Sequence, residues 1–315
     1  MSATYSDPEA DALDAAPTPA RAASAQGAKA GRADPPRFAP YLLALPHALV
    51  MLVFLVLPIA AIVVVSFWEF NGFTLVPGFT FDNYTDLFRG AAYRATYLNT
   101  LKFAAIVWTV TFAIGFPIAY FLAFHVRSVV VRTALFLVCT VPFLTSNIIR
   151  SISWIPFLGR NGILNGLLMT TGLTDRPLDI FLYSDVSVVL AMVHLYTLYM
   201  IVPIFNTMLR IDRSLLEAAR DAGASELRAV FEVVLPLSAP GIAIGTIFVV
   251  SLCLGDFMTV RLMSGGQASS VGLSIQNLIT SLQYPLAAAN AVILLVLTLS
   301  IVAILLRVVD IRKEL

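Results

Sequence analysis

Apolar residues along this chain do not alternate with polar ones; they run on for whole membrane thicknesses. Six stretches, near 41–67, 98–124, 132–154, 185–208, 238–260 and 286–308, are mostly apolar. Each is as long as the roughly 20 residues that a helix needs to cross a bilayer. Prolines interrupt several of them, at Pro46, Pro58, Pro117, Pro142 and Pro203. Membrane helices tolerate such breaks where neighbours satisfy the freed backbone groups. An even number of crossings places both termini on one side. Between the fourth and fifth stretches the pattern changes to "LLEAARDAGASELRAVFEVVLPLSAPG", Leu215 to Gly241. There Arg220, Asp221, Glu226, Arg228 and Glu232 surround an apolar stripe, Leu227, Val230, Phe231 and Val234, at helical spacing. Such a stripe needs a cover, and the residues alone leave three open: the bilayer, the chain's own helices, or a partner protein.

The local signals in this segment predict a helical hairpin. Ser214 with Glu217 three places on is a capping-box pattern that starts a helix at Leu215. Ala218, Ala219 and Ala222 keep that helix thin, and Gly223 can take the left-handed backbone that ends it. A second helix follows from Ser225 and stops at Pro236, which cannot continue it. On this ground Glu217 is either a cap or part of a docking face. Elsewhere, "FTLVPGFTFDNYTDLFRG" reads as a polar-aromatic external loop. The stretch "GRNGILNGLLMTTGLTDRPLDIFLYSD" reads as turns around a short helix at the interface. In "SIQNLITSL", Ile275, Leu278, Ile279 and Leu282 repeat at amphipathic helical spacing.

Composition agrees with lipid as the solvent. The 315 residues are 59% hydrophobic and 12% charged, with a mean hydropathy of +0.87, against about 25% charged in soluble proteins. A net charge of +1 gives no case for nucleic acid. Cys139 and Cys253 both fall in apolar runs and read as packing residues, and no Cys/His cluster has metal-ligand spacing. Residues 1–38 are rich in Ala, Pro, Ser and Gly with charges of both signs, the composition of a disordered tail. That leaves 39–315 as the membrane domain. Lys and Arg flank the spans unevenly. The tail, Arg127 and Arg132, the 210–228 segment and the C-terminal Arg307, Arg312 and Lys313 share one side, which becomes the cytoplasm. The reading is an all-α membrane protein with six transmembrane helices, N-in/C-in. No G-x-x-x-x-G-K-[ST] loop occurs, so the chain has no phosphate cradle of its own.

Glu217-Ala218-Ala219, three residues, Gly223, nine residues, then Val233-x-Leu235-Pro236 resembles the EAA motif of the permease subunits of ATP-binding-cassette importers, with Val233 where the family usually has Ile. The resemblance implies a type I importer permease fold with its core at about 98–308. It makes 213–236 a coupling hairpin, gripped by a separate ATPase through Glu217, Ala218, Ala219, Gly223, Leu235 and Pro236. It also implies two ATPase subunits carrying the ATP and magnesium, a second and different permease, a periplasmic solute-binding protein, and a bacterial inner membrane; this chain would hold no cofactor and catalyse nothing. The blocks "FTFDNYTDLF", "LNTLKFA", "PIAYFLA", "NIIRSISWIPFLGRNGILN", "IDRSLLEAARDAGAS" and "LPLSAPGI" are similar to the spermidine/putrescine B-type permeases. Related permeases carry phosphonates, ferric iron or sulfate.

Ionisable and aromatic residues inside spans are the candidates for the solute path, because charge in lipid is costly and tends to mark function. Asp256 could draw in a cation with Phe257 as an aromatic wall, or could cap or pair at the end of the fifth span. Arg150, near Trp154, could pair with Asp256 or snorkel to the interface. Tyr196 and Tyr199 share a helix face that could line a pore, and His194 reads as hydrogen-bonded packing rather than a proton carrier. Gly241 and Gly245 form a small-residue pair for close packing, either between subunits or within one. Two rival functions remain: an ion-driven secondary transporter using Asp256 and Arg150, and a membrane scaffold that moves nothing.

Overall fold

The computed structural model describes residues 39–72 and 74–308. The predicted tail over 1–38 and the terminal cations Arg312 and Lys313 lie outside them. The chain divides into two units, one up to Pro58 and one from Ile59. The described part of the first is helix: α1 (Ala39–Met51) and a π-turn (Leu52–Val56). Helix α2 (Leu57–Val65) begins at the boundary. Pro58 has no N–H to bond the turn before it, and the wide π-turn sits at that point. The run Leu45–Val65 is long and apolar enough to cross a membrane.

The second unit opens with a two-stranded antiparallel hairpin, β1 (Glu69–Phe70) and β2 (Leu75–Val76), with Glu69 opposite Val76. A short amphipathic helix follows, α3 (Asp82–Arg89). The long helix α4 (Ala91–Tyr120) ends in a second π-turn at Phe121–His125. Next come α5 (Val129–Thr140), a 3-10 turn at Val141–Leu144, α6 (Asn147–Leu158) and α7 (Ile163–Thr170). Helix α8 (Asp185–Met208) is the centre of the unit, with α4 and α12 (Ala239–Gly255) packed against it. Between α8 and α12 lie α9 (Arg213–Asp221), α10 (Glu226–Ala229), a third π-turn (Val230–Val234) and α11 (Leu235–Leu237). The unit closes with α13 (Met258–Ser264), α14 (Val271–Thr280) and α15 (Tyr284–Val308).

Among the described residues, 4 helices are long and apolar enough to cross a membrane, or up to 6 if each of two bent pairs is one span. The first, second, fourth and sixth predicted stretches each contain one unbroken helical run, and the fourth has the predicted bounds of Asp185–Met208. The third and fifth do not. Residues Val129–Leu144 and Asn147–Thr170 meet at 89°, and Glu226–Leu237 meets Ala239–Gly255 at 69°. The stretch expected to run straight over 132–154 therefore turns at Thr145, where the backbone is extended and Ser146 caps the next helix. The stretch expected over 238–260 stops at Gly255, because Asp256 is extended (φ −76°, ψ 113°) and its carboxylate restarts the chain as α13.

The α8–α12 contact is close because of glycine. A Cβ on Gly241 would lie 2.5 Å from both the Pro203 carbonyl and Thr207 Oγ1, and one on Gly245 would lie 2.8 Å from Met200 Sδ. The small-residue pair thus packs within one chain. Polar side chains tie the other helices to this core: Trp108 Nε1 donates to Thr246 Oγ1 (2.9 Å) and Tyr97 Oη to Asn290 Oδ1 (2.6 Å). Helix α14 departs from the expected stripe. Its buried residues are Val271, Gly272 and Leu273 at the start, while Ile279 is exposed and Leu282, at φ 61°, lies past its end. Both cysteines are free.

Candidate functional site

Two places in the chain concentrate the residues singled out above. The first is the hairpin. Helix α9 begins at Arg213 rather than Leu215, because Asp212, not Ser214, is its cap: the Ser214 N–H donates to Asp212 Oδ1 at 2.9 Å. The capping box between Ser214 and Glu217 is not formed. Glu217 instead stands exposed, with no ion pair among the described residues. Gly223 ends the helix as expected, at φ +85°. Its N–H donates to the Arg220 carbonyl (2.8 Å) and the Ala224 N–H to Ala219 (3.0 Å), the paired bonds of a Schellman turn. Ser225 caps α10, the ion pair Arg220–Glu226 (3.1 Å) joins the two arms, and Arg228–Glu232 (2.9 Å) lies along the second.

The predicted apolar stripe divides. Val234 is fully buried and Val230 half-buried, beside buried Ala229 and Leu216. Leu227 (73% exposed) and Phe231 (64%), four apart, are not covered, and neither is Leu215. The π-turn at 230–234 directly precedes Pro236, which continues through α11 and does not end the helix; the chain turns at Ser238 instead. Leu235 is half-buried and Pro236 exposed. One further contact was not legible in the pattern: Arg213 Nη2 donates to the Ala123 carbonyl (3.2 Å) in the π-turn after α4, which joins the hairpin to that helix.

The Asp212 carboxyl is held below the ordinary carboxylate range, first by the Ser214 backbone N–H and then by its hydroxyl. A lowered value means the cap is complete above the unfolded carboxylate pKa of about 4 and is lost as pH falls through the lower folded value. Acidification through that window is expected to lower the protection of the Ser214 amide relative to its intrinsic exchange rate, and D212N should remove that pH dependence; an unchanged profile in the variant would refute the assignment.

The second place lies where α6, α8 and α12–α13 meet. Tyr196 Oη donates to Asp256 Oδ2 at 2.7 Å, and the Thr259 N–H donates to Asp256 Oδ1 at 3.0 Å. Asp256 is thus both the cap of α13 and the acceptor for a buried tyrosine. Phe257 beside it is half-buried. Tyr199 sits 6.4 Å from Tyr196 between centroids, with Phe143 at 5.1 Å and Phe248 at 6.2 Å. Phe143, Leu198, Tyr199, Val202, Pro203 and Phe248 line a cavity of about 210 Å³. Sequence reading named the tyrosines but missed Phe143 and Phe248, which come from other helices.

Arg150 corrects both expectations held for it. The bend before α6 turns it inward, so it neither snorkels nor pairs with Asp256; it is 6% exposed. Its guanidinium lies 4.8 Å from the Phe143 ring centroid and Nη2 donates to Asn147 Oδ1. Among the described residues its Nε and Nη1 have no partner. Trp154, one turn on, donates from Nε1 to His194 Nδ1 at 3.0 Å, so His194 is hydrogen-bonded packing as read from the sequence. An indole can only donate, which puts the imidazole proton on Nε2.

Four to six membrane-capable helices among the described residues, with a charged hairpin between two of them and one short β-hairpin, define the class as a polytopic, mostly helical membrane protein. Its fold is that of a chain of a bacterial alginate ABC transporter solved in complex with an alginate-pentasaccharide-bound periplasmic protein, with a TM-score of 0.70 at 21% identity over 85% of this chain and 92% of that one. The chain is 32% identical over 251 residues to the spermidine/putrescine transport system permease protein PotB of Haemophilus influenzae, covering 78% of this chain and 86% of the relative. It is 33% identical over 217 residues to PotB of Escherichia coli, covering 69% and 78%. A third relative is the inner membrane ABC transporter permease protein YdcU of E. coli, 30% identical over 250 residues, 74% and 77% of the two chains. No family model matches. The chain belongs to the permease subunits of ATP-binding-cassette importers, in the spermidine/putrescine B-type branch, and is an inner-membrane protein. Such permeases are not themselves enzymes.

Proposed function

We propose that this chain is one of two different permeases in an importer that carries a polyamine or a similar cationic amine. It crosses the membrane six times with both termini in the cytoplasm. Two ATPase subunits, which hold the ATP and magnesium, dock on residues 213–236, and a periplasmic binding protein delivers the solute. Closure of the ATPases on ATP moves the hairpin about Gly223 and tilts the helices it joins, α4 through Arg213 and α12 through the bend at Ser238.

The observation that carries the coupling reading is the uncovered face of the hairpin. Leu215, Leu227 and Phe231 are exposed on the same hairpin as Glu217, which is exposed and has no ion pair among the described residues. Apolar anchors ringed by charge suit a protein cleft, since the centre of a protein interface is apolar and its rim polar. A bilayer would take the leucines but gives no partner to the exposed carboxylate of Glu217. The solute reading rests on the names of the relatives and on Asp256, a carboxylate held among Tyr196, Tyr199 and Phe257, with Arg150 and Trp154 bordering the same cluster.

The test is replacement of Glu217 by Ala and of Gly223 by Val in reconstituted complexes. A Cβ at Gly223 meets nothing within 4 Å, so the valine strains only the left-handed backbone, by about 1–2 kcal/mol. Both variants should assemble less well or hydrolyse ATP without moving solute. If transport, assembly and coupled ATPase activity are all unchanged, the docking reading fails.

A further inference from the structure

A cavity of about 320 Å³ lies at the N-terminal end of α4, lined by Leu87, Phe88, Arg94, Tyr97, Leu98 and Ile293 from α3, α4 and α15. It is separate from both places described above. Its walls are apolar, and Phe88 and Leu98 are open at 64% and 69% exposure. Tyr97 contributes its ring, because its hydroxyl is already committed to Asn290. The cation at its edge is Arg94, and Arg89 closes α3 five residues earlier. Neither arginine forms an ion pair among the described residues. The nearby carboxylates belong to α3. Asp82 accepts from Thr80 Oγ1 at 2.8 Å, and neither it nor Asp86 pairs with either arginine.

The level of the cavity follows from helix length. Ala91–His125 is 35 residues of helix, about 52 Å at 1.5 Å per residue, against a hydrocarbon core of about 30 Å. The helix is therefore longer than the core is thick, and because its long apolar run begins near Leu98, the turns before it, which carry Arg94, fall on the headgroup side. The loop that adjoins α3 carries an aromatic cluster: Phe67 stacks on Phe79 at 4.8 Å, Phe79 and Phe81 are exposed, and Tyr84, the residue type of a membrane–water boundary, lies 5.4 Å from Phe67.

We propose that this cavity is a site for an anionic phospholipid, with the phosphate on Arg94 and Arg89 and one acyl chain between α3, α4 and α15. The two cations select negative headgroups, and the apolar floor selects a lipid over a free anion.

The experiment places a photoreactive benzoylphenylalanine at Phe88 in the intact complex, held in nanodiscs of phosphatidylglycerol and phosphatidylcholine in equal parts. Mass spectrometry identifies the adduct. Phosphatidylglycerol should dominate, and R94A should lower its excess over phosphatidylcholine about fivefold, the share of one surface cation. In native mass spectrometry, L98W, which fills the cavity, should remove the retained phosphatidylglycerol while R94K keeps it. Adducts to another protein chain, equal capture of both lipids, or an R94A profile like the parent would each overturn the site.

Discussion

Replacing Gly241 by alanine is expected to destabilise the folded chain by about 1–3 kcal/mol, the usual cost of overpacking. A larger side chain there should leave no folded permease to purify. The reason is the identity of the atoms a Cβ would meet. The Pro203 carbonyl and the Ile204 Cα are backbone, at 2.5 and 3.0 Å, and cannot swing aside. Gly245 faces the tip of Met200, a flexible thioether, with the Met200 backbone at 3.3 Å. Alanine at 245 should therefore cost less than at 241. Removing Thr207 Oγ1 with T207A should rescue G241A only in part, because the Pro203 carbonyl remains. Thermal unfolding of the detergent-solubilised chain, followed by size exclusion, ranks the three. Equal melting of both glycine variants would show that α12 can slide on α8.

The second large effect concerns Asp256. Asparagine keeps the shape and can still accept from the Thr259 N–H, so D256N should fold at parent levels. It removes the charge. Uptake of a cationic amine by the reconstituted complex, with saturated binding protein, should fall about tenfold or more, equivalent to 1.4 kcal/mol or more. D256A should lose transport and stability together. It removes the α13 cap, worth about 1 kcal/mol, and strands the buried Tyr196 hydroxyl, worth about 1–3 kcal/mol. Parent-level uptake by D256N would make Asp256 a structural cap and no more. Binding by the cognate receptor of polyamines, phosphonates, sulfate and ferric ion tests the solute class separately.

The positions of the membrane helices were legible because length and apolarity are one-dimensional properties. Direction is not. The stretch from Val129 to Leu158 is apolar enough on average to read as one span, and Pro142 with the polar Thr145, Ser146 and Asn147 marks the place of the 89° bend without giving its angle. Gly223 could be read because a left-handed turn nearly requires glycine. The cap was misread because Asp212 and Ser214 are both good caps, and only the start of the helix decides between them. Arg150 was misplaced for the same reason as its helix: once the bend is known, a guanidinium expected at the lipid surface points inward onto Phe143. The aromatic walls around Tyr199 come from residues far apart in the chain, Phe143 and Phe248, and no local pattern joins them.

The indole held against His194 bears on where the energy for uphill movement comes from. A carrier powered by a proton gradient must load and discharge a basic atom on every stroke. The only lone pair of that imidazole is occupied by Trp154, so each loading would have to tear the two rings apart. A ring latched in this way serves as a strut between α6 and α8, not as the relay of a proton-driven stroke.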